Sequence, residues 1–501
     1  MSDPPQPGAP EEAPSLLVTG ILDSRDAGPR VIRGGVIRVA GYVAGVVLSV
    51  GSAAVLIRYL GVTDFGRYIT VMSLVTIVGG LSEAGMTNIG IREFSTREGA
   101  GRDALMRTLL GIRLGLTAVG TVVAVIFSLL AGYDETMVAG VAIGGLGLAL
   151  TVQQQTYAIP LTAGLRLGWV SGLELIRQAV TVAGIVALVA AGATLLAFFV
   201  VPVPAAVAAL AVTIVLVRAH LSLRPSLDGA TLRDLAPLIL PFAAAAAVGT
   251  IYVQLVVVLM SVLSDPLETG YFGAAFRVFT VLGGVPALLV ASAYPVLARA
   301  ARDDHDRLGY ALQRLYDVSL IAGGWMAVGT VLGAPVAIAV VAGDGFDPSI
   351  SVLQIQGLAL AASFLLATGG YALMSLNRLR ALLVTNLVGL VATAALATVL
   401  IPRWGADGGA AAALAGESLL ALGYAIALRR SGSSAGARIS SRTLAPVLLA
   451  AGASSAPAVL LDLPAVAAVA AATIVYFVIL FGLRVIPDEL VDALLARLPG
   501  R

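Results

Sequence analysis

The chain has 501 residues, of which 58% are hydrophobic and only 12% are charged, and its mean hydropathy is +0.96. Soluble domains keep about a quarter of their residues charged, so this composition excludes a soluble protein and indicates a chain that lies largely in lipid. The net charge of +2 is too small to indicate nucleic-acid binding. The absence of cysteine excludes disulfides and thiolate chemistry, and the only histidines, His220 and His305, are far apart, so we expect no metal site and no cofactor.

Long apolar stretches follow one another from residue 36 to residue 483. A helix needs about 20 apolar residues to cross a bilayer core of about 30 Å. Fourteen stretches meet this test, so we predict an all-α integral membrane protein with about 14 transmembrane helices. The predicted spans are residues 36–56, 69–87, 105–131, 136–156, 170–190, 193–217, 236–263, 271–297, 316–342, 350–374, 381–401, 408–427, 444–461 and 464–483.

The arginines are distributed unevenly between alternate loops. All 31 basic residues are arginines, and with the N-terminus inside, 25 of them fall in segments predicted to be cytoplasmic. Short cytoplasmic loops keep basic residues because these resist translocation. We therefore predict that both termini are cytoplasmic. Three arginines fall in outer loops, namely Arg58, Arg67 and Arg403, and three lie within spans, namely Arg113, Arg177 and Arg277.

A short polar hinge separates the first two spans and recurs, in a weaker form, about two hundred residues later. It occupies residues 57–68, and its copy occupies residues 262–272. Another pair of similar segments, residues 163–167 and 375–379, has nearly the same offset. Internal repeats of this kind commonly build transporters whose substrate path lies between the two halves. We therefore predict two six-helix lobes of like orientation, with two extra helices appended.

The predicted domain boundaries follow from this duplication. Residues 1–30 are rich in proline and acidic residues and are expected to form a disordered cytoplasmic tail. Residues 485–501 have apolar side chains at helical spacing and are expected to lie along the inner membrane surface or to form a soluble helical stub. The N-lobe is predicted at residues 31–233, the C-lobe at 234–430, and the two appended helices at 431–484.

Several short motifs then point to a known family. They are Leu60-Gly61-x-x-x-Phe65-Gly66-x-Tyr68, Glu83-Ala84-Gly85 with Arg92-Glu93, Tyr294-Pro295, and the segment 402–411. In this order and spacing they resemble the polysaccharide and oligosaccharide flippases of the Wzx type. The superfamily of these exporters also contains the lipid II flippases and the multidrug and toxin extruders. The resemblance extends from Val31 to Arg484.

This resemblance implies a function. Such proteins translocate a polyprenyl-diphosphate-linked oligosaccharide across the bacterial cytoplasmic membrane for cell-surface polysaccharide synthesis. They work by alternating access around a central cavity that is cationic in many members, while the polyprenyl tail stays in lipid. The implied partners are the lipid-linked oligosaccharide and membrane lipids, with a polysaccharide polymerase and glycosyltransferases as further candidates.

Charged residues within spans are the candidates for the substrate site. A charge inside a span costs at least about 2.5 kcal/mol on insertion, so it usually faces a wet cavity or a partner. Arg113 and Arg277 lie one in each lobe and could bind a diphosphate by forked hydrogen bonds, or they could snorkel or pair structurally. Arg92 could contact a pyrophosphate at the cytoplasmic surface, and Arg58 would line the exit side. Arg92 could instead cap the second span at the cytoplasmic surface, and Arg58 could be an ordinary exposed loop residue.

Acidic residues within spans are the candidates for ion coupling, namely Glu83 and Glu417. The alternative for Glu417 is a carboxyl group kept neutral by burial. Glu174 and Arg177 are three residues apart on one helix, so we expect a local ion pair in preference to a substrate role.

Two other functions remain open from the sequence. A cation-coupled drug extruder of the same superfamily would favour an acidic cavity, which Glu83 and Glu417 could supply. A membrane glycosyltransferase or polysaccharide polymerase would place an acidic residue in an outer loop, as at Asp64, Asp134 or Asp344. The short outer loops and the duplication argue against an enzyme. No phosphate-binding loop of the ATPase type is present, because the chain has no lysine.

Overall fold

The computed structural model describes residues 27–218, 225–226, 229–303, 305–430, 440–460 and 463–486. The predicted N-terminal tail up to residue 26, and the C-terminal tail from residue 487 onward, lie outside the described residues. The helices are α1 Ala27–Glu83, α2 Met86–Thr96, α3 Ala100–Leu130, α4 Glu135–Tyr157, α5 Ile159–Ala163, α6 Leu167–Ala190, α7 Leu195–Val200, α8 Pro202–Val217, α9 Gly229–Leu263, α10 Pro266–Asp303, α11 His305–Val341, α12 Pro348–Ser375, α13 Leu379–Arg430, α14 Ser441–Leu460 and α15 Ala465–Gly482.

The prediction of fourteen membrane crossings is confirmed for the described part of the chain. Eleven continuous helical stretches are long and apolar enough to cross a membrane. Two of them, within α1 and α13, are bent at one glycine and are long enough to cross twice, and α14, with 20 residues, has the length of one more crossing. The predicted break between the fifth and sixth spans is also present, because Gly192 adopts a positive φ of 67° between α6 and α7.

Two of the predicted outer loops are shorter than expected. The segments between predicted spans at residues 57–68 and 402–407 are helical apart from one residue in each. Gly61 has φ 68° and ψ 179°, and Gly405 has φ 52° and ψ −129°. Only glycine adopts such conformations without a steric penalty, so a single residue is enough to turn the helix. We call the side of the membrane at Gly61 the hinge side and the opposite side the arginine-rich side.

The duplication is visible in the backbone of the two similar segments on the arginine-rich side. Leu165 before α6 and Asn377 before α13 both have left-handed φ values, 54° and 56°. In each turn the next N–H, that of Arg166 or Arg378, donates at 2.8 Å to the carbonyl five residues earlier. This is the pattern of a Schellman turn. A left-handed conformation costs a non-glycine residue about 1 kcal/mol, so its occurrence at equivalent positions supports an internal repeat.

Helices of the two halves meet through α1. In the first half α1 packs against α3, α4 and α6, and across the interface it packs against α9 and α10 of the second half. The second half is built on α12, which contacts α10, α11 and α13. The appended helices α14 and α15 pack on each other and on α11. There the Tyr476 hydroxyl donates to the Ile321 carbonyl at 2.9 Å, and Trp325 Nε1 donates to Thr473 Oγ1 at 3.1 Å.

Candidate functional site

The two copies of the hinge contact each other on the hinge side. A Cβ atom placed on Gly66 would lie 1.9 Å from the Pro266 carbonyl oxygen, and one placed on Gly270 would lie 2.1 Å from the Val62 carbonyl oxygen. Each glycine therefore lets the backbone of the other copy approach closely. We call Val62, Gly66, Pro266 and Gly270 the glycine crossing. It joins α1 to α10 and closes the space between the two lobes on this side.

Other contacts reinforce this closure. Phe65 and Phe272 are buried in one apolar cluster that draws residues from α1, α9, α10, α11, α12 and α13. Arg58, predicted to line the exit side, donates from Nη2 to the Ala339 and Val340 carbonyl oxygens at 2.8 and 2.7 Å. These carbonyls lie in the last turn of α11 in the second half. The exposed Arg58 therefore connects α1 to α11, and so the two lobes, in this conformation.

A large polar cavity lies on the opposite, arginine-rich side, mostly within the first half. Its volume is about 970 Å³, and it extends along α1, α4 and α6 to Thr250 of α9. We call it the N-lobe cavity. Its polar wall carries hydroxyl, amide and charged groups from Glu83, Thr87, Asn88, Gln154, Gln155, Thr162, Glu174 and Arg177. With the hinge side closed and this cavity on the other side, the arrangement is inward-facing if the arginine-rich side is cytoplasmic.

Arg113 is held in an ion pair behind the wall of the N-lobe cavity. Its side chain is fully buried, and Nη2 contacts the Glu83 carboxylate. Nη1 also donates to Thr87 Oγ1 at 3.2 Å, and Nη2 donates to Gln155 Oε1 at 3.3 Å. A guanidinium group with no exposed surface does not reach a ligand in the cavity. In this conformation the contacts favour the structural alternative for Arg113.

Glu83 connects this ion pair to the backbone. The second half of α1 ends at Glu83, and the chain then passes through Ala84 and Gly85, both with positive φ, before α2 begins. The Glu83 carboxylate accepts from the Thr87 backbone N–H at 3.2 Å and from Thr87 Oγ1 at 3.0 Å. It therefore satisfies an unpaired donor in the first turn of α2. The Glu83 side chain is still 38% exposed, so the carboxylate, and not the Arg113 guanidinium, faces the cavity.

The predicted Glu174–Arg177 ion pair is confirmed, and it lies in the cavity wall. Arg177 Nε donates to Glu174 Oε2 at 3.1 Å, and a second contact joins Nη2 to Oε1. The N-lobe cavity thus contains two carboxylates, each paired with an arginine. Its wall is close to neutral overall, and its remaining polar groups are amides and hydroxyls. Such a surface suits the hydroxyl groups of a sugar better than an isolated charge.

Arg277 lies at the interface between the lobes. It is half-buried in α10, two helical turns below Gly270 of the glycine crossing. Eleven residues separate it from Pro266 at the hinge-side end of α10, which is about 16 Å at 1.5 Å per residue and places it near mid-membrane. Nη2 donates to Ser49 Oγ of α1 at 2.7 Å, and Nε has no partner. No carboxylate forms an ion pair with it among the described residues.

The remaining candidates lie apart from this interface. Arg92 is exposed on the arginine-rich side and pairs with Glu93, with Nη2 to Oε1 at 3.0 Å. Glu417 of α13 is half-buried in the second half and accepts from Ser363 Oγ of α12 at 2.8 Å. The structure therefore does not bring Glu83 and Glu417 together, since each belongs to the interior of its own lobe.

Comparison with known proteins identifies the family. Residues 55–351, more than half of the chain, match the family model described as polysaccharide biosynthesis protein. The chain belongs to the polysaccharide biosynthesis protein family. No curated protein matches the sequence.

Solved structures similar to this family member confirm the fold expected from the motifs. The lipid II flippase MurJ in an inward closed conformation superposes with a TM-score of 0.72, at 12% identity, over 89% of this chain and 98% of that chain. An inward-facing multidrug resistance MATE family transporter gives a TM-score of 0.60 at 14% identity, over 79% and 97%. An outward-facing transporter of the same MATE family gives 0.50 at 14% identity, over 80% and 95%. At these identities the likeness concerns the fold alone.

Sequence reasoning missed part of the site of this polysaccharide biosynthesis protein. The run Gln153-Gln154-Gln155 in α4 was a detectable signal, because three consecutive amides are unusual within an apolar span. Gln153 donates to the Leu110 carbonyl at 3.1 Å and Gln154 to Thr213 Oγ1 at 3.1 Å, so each amide ties α4 to a different neighbour. Thr250 gives no comparable signal, because only packing between the lobes brings it to the cavity.

Proposed function

We propose that this protein is a flippase that translocates a polyprenyl-diphosphate-linked oligosaccharide across the bacterial cytoplasmic membrane by alternating access. The observation that carries the proposal is Arg277, a guanidinium near mid-membrane at the lobe interface whose hydrogen-bonded partner is a neutral hydroxyl. An arginine within the membrane is costly unless it has a partner or a use. A diphosphate passing between the lobes would supply the missing negative charge, with charge-assisted hydrogen bonds.

The N-lobe cavity fits the other part of such a substrate. Its amides and hydroxyls can exchange hydrogen bonds with sugar hydroxyls, and its two ion pairs leave no net charge to repel a glycan. The polyprenyl tail would remain in the surrounding lipid while the head group passes between the lobes. Closing the arginine-rich side and separating the glycine crossing would then release the head group on the hinge side.

We revise the roles of the candidate residues accordingly. Arg277 is the proposed diphosphate ligand, and Arg113 would support the cavity through Glu83 unless the ion pair opens during transport. Arg92, exposed on the arginine-rich side, would attract the diphosphate on entry. Arg58 would hold the hinge side closed between transport cycles.

We also propose the orientation in the membrane. The arginine-rich side would be cytoplasmic, because short cytoplasmic loops retain basic residues. Both termini and the appended-helix segment 431–484 would then have the topology predicted from the sequence. Reporter fusions after Gly132, Arg224, Gly345 and Arg430 should report outside, inside, outside and inside. A reversed pair would contradict the assignment.

A direct test uses the lipid-linked substrate in cells. Deletion of the protein should leave assembled lipid-linked oligosaccharide in the cytoplasmic leaflet, with its synthesis intact. The wild-type chain should restore export, and Arg277→Ala should not. The control is Arg429→Gln with Arg430→Gln, since these exposed residues at the end of α13 lie outside the cavities described. If deletion instead stops assembly or polymerisation of the glycan, an enzymatic function replaces this proposal.

A cation-coupled extruder is the second candidate, and Glu417 favours it. Glu417 lies between α12 and α13, and in the described part of the chain its hydrogen-bonded partner is the Ser363 hydroxyl, which makes this carboxyl group a natural site for a proton or a cation. Ion coupling is compatible with a flippase as well, so the substrate decides between the two. Efflux of a lipophilic cation that depends on Glu417, together with normal polysaccharide export in the deletion strain, would favour the extruder.

A further inference from the structure

A polar cavity of about 560 Å³ lies where the appended helices meet α11 on the arginine-rich side. It is separate from the N-lobe cavity and from Arg277. Three arginines from separate parts of the chain line it, namely Arg314 of α11, Arg442 in the first turn of α14 and Arg484 after α15. Within the described residues, neither Arg442 nor Arg484 forms an ion pair.

A buried carboxylate, that of Asp317, holds the wall of this cavity together. Asp317 of α11, 9% exposed, accepts from Thr443 Oγ1 at 2.7 Å and from Gln313 Nε2 at 3.2 Å. The bond to Thr443 fixes the first turn of α14 against α11. One carboxylate beside Arg442 and Arg484 leaves these two guanidinium groups with an excess of positive charge, which suits an anion with several oxygen acceptors.

The position of Arg484 is set by the end of α15. Arg484 has a left-handed φ of 53°, and the following Val485 N–H donates to the Leu480 carbonyl at 3.1 Å. A glycine would adopt this helix-ending conformation without strain, whereas for arginine it is strained. The turn places the arginine on the same cavity as the first turn of α14.

A separate apolar cavity lies further along the same two helices. On α11 the lining residues change from Gln313 and Asp317 to Leu320 and Gly324, and on α14 they change from Thr443 to Leu444 and onward to Ser455. The apolar cavity has a volume of about 580 Å³ and also borders α12 and α13. A cationic site at the membrane surface and an apolar cavity deeper in the membrane thus follow one another along α11 and α14.

We propose that these two cavities together bind one anionic phospholipid of the leaflet on the arginine-rich side, separately from the transported substrate. The phosphate would lie between Arg442 and Arg484, and one acyl chain would occupy the apolar cavity. Leu444 and Ser455 are eleven helical steps apart, about 16 Å at 1.5 Å per residue, which is about half of the ~30 Å hydrocarbon core. This depth matches an acyl chain of a single leaflet, whereas a polyprenyl chain is longer than one leaflet.

Binding of a phospholipid here would anchor α14 and α15 to the second lobe. The two helices meet the rest of the chain at α11, so a ligand shared by α11, α14 and the end of α15 would strengthen that contact. A ligand that binds only the folded state raises its stability by mass action. The expected consequence is a melting temperature that rises with anionic phospholipid.

The test is native mass spectrometry and thermal unfolding of the full-length protein with added phosphatidylglycerol, phosphatidylcholine or inorganic phosphate. Phosphatidylglycerol should bind at one retained site and raise the melting temperature more than phosphatidylcholine does. Arg442→Gln with Arg484→Gln should weaken this binding about 10- to 100-fold, the effect of losing one charge-assisted hydrogen bond or more. Arg429→Gln with Arg430→Gln, the matched control on the same side, should bind as the wild type.

A second variant tests the apolar half. Ala451→Phe fills the apolar cavity without changing any charge, and it should also weaken phosphatidylglycerol binding. Unchanged binding in this variant, or an equal effect of inorganic phosphate, would reduce the site to a simple anion site and overturn the proposal. Preference for a polyprenyl phosphate over phosphatidylglycerol would overturn it in favour of the substrate.

The chain's own acidic residues are the remaining competitor. Asp488 and Glu489 follow Arg484 closely in the sequence. If phosphatidylglycerol binds only after Asp488→Asn and Glu489→Gln are introduced, these carboxylates occupy the cavity and the phospholipid proposal fails. Binding that is equal with and without these two changes supports the proposal.

Discussion

Alanine at Gly66 should prevent the glycine crossing from closing. The added Cβ would lie 1.9 Å from the Pro266 carbonyl oxygen, although real Cβ contacts are essentially never shorter than 3.0 Å. The two helices would have to separate by at least the difference, 3.0 − 1.9 = 1.1 Å, because both of the clashing groups belong to backbone or to a rigid Cβ. The perturbation therefore acts on the closed state of the hinge side and leaves the open state unaffected.

The size of the effect follows from the cost of overpacking. Overpacked sites lose about 1–3 kcal/mol, and a clash with backbone belongs at the upper end of this range. Since about 1.4 kcal/mol is a tenfold change, about 3 kcal/mol changes the ratio of open to closed molecules about 150-fold. A hinge side that is open in about 1% of molecules would then be open in roughly 60%.

Spin labels can measure this population directly. The chain has no cysteine, so Glu135→Cys and Asp344→Cys introduce the only two labelling positions. Both residues are exposed on the hinge side, one in each half of the chain. In Gly66→Ala the distance distribution between the labels should gain a longer component, and flipping should slow because the return to the closed state is impaired.

Matched variants make this test specific. Gly270→Ala should have the same effect, because its Cβ would lie 2.1 Å from the Val62 carbonyl oxygen. The double variant should add little, since both changes block one contact. Gly51→Ala, on α1 with no atom within 4 Å of its added Cβ, should leave the distances unchanged. If Gly66→Ala and Gly51→Ala give the same distribution, the crossing is not the gate.

Three further predictions concern the charged residues. Arg113→Ala should lower the melting temperature, because it leaves Glu83 without its cation. Adding Glu83→Gln should partly restore the melting temperature, with an interaction free energy of about 0.5–3 kcal/mol in the double-mutant cycle. Additive losses of stability would contradict the structural role of Arg113. Arg277→Ala should abolish flipping in proteoliposomes at an unchanged melting temperature. Arg277→Lys should flip only partly, because a point charge replaces the planar guanidinium fork. Normal flipping by Arg277→Ala would exclude Arg277 from the substrate site. Glu417→Gln should abolish the dependence of transport on a proton or sodium gradient while substrate binding persists, and an unchanged gradient dependence would exclude it as the coupling residue.

Composition and hydrophobic periodicity were enough to determine the class of fold. A span shows itself as about 20 apolar residues because the bilayer requires that length, whatever the helix contacts. The number of crossings could therefore be predicted from the sequence. The same holds for the hinge at Gly61 with its copy and for the Glu174–Arg177 pair, because these depend on residues close together in the chain. The loop lengths at Gly61 and Gly405 were overestimated, since polar residues on a helix end look like loop residues in the sequence.

Only the tertiary structure decided which charges are partnered. Arg113 and Arg277 look alike in the sequence, each a single arginine inside an apolar span. Packing of α3 against α1 brings Glu83 to Arg113, thirty residues away. Packing of α10 against α1 instead brings the Ser49 hydroxyl to Arg277, and no carboxylate of the described residues pairs with it. The free energy of a charge in the membrane depends on the groups within a few ångströms, and those groups come from other helices, so the sequence near each arginine does not contain the answer.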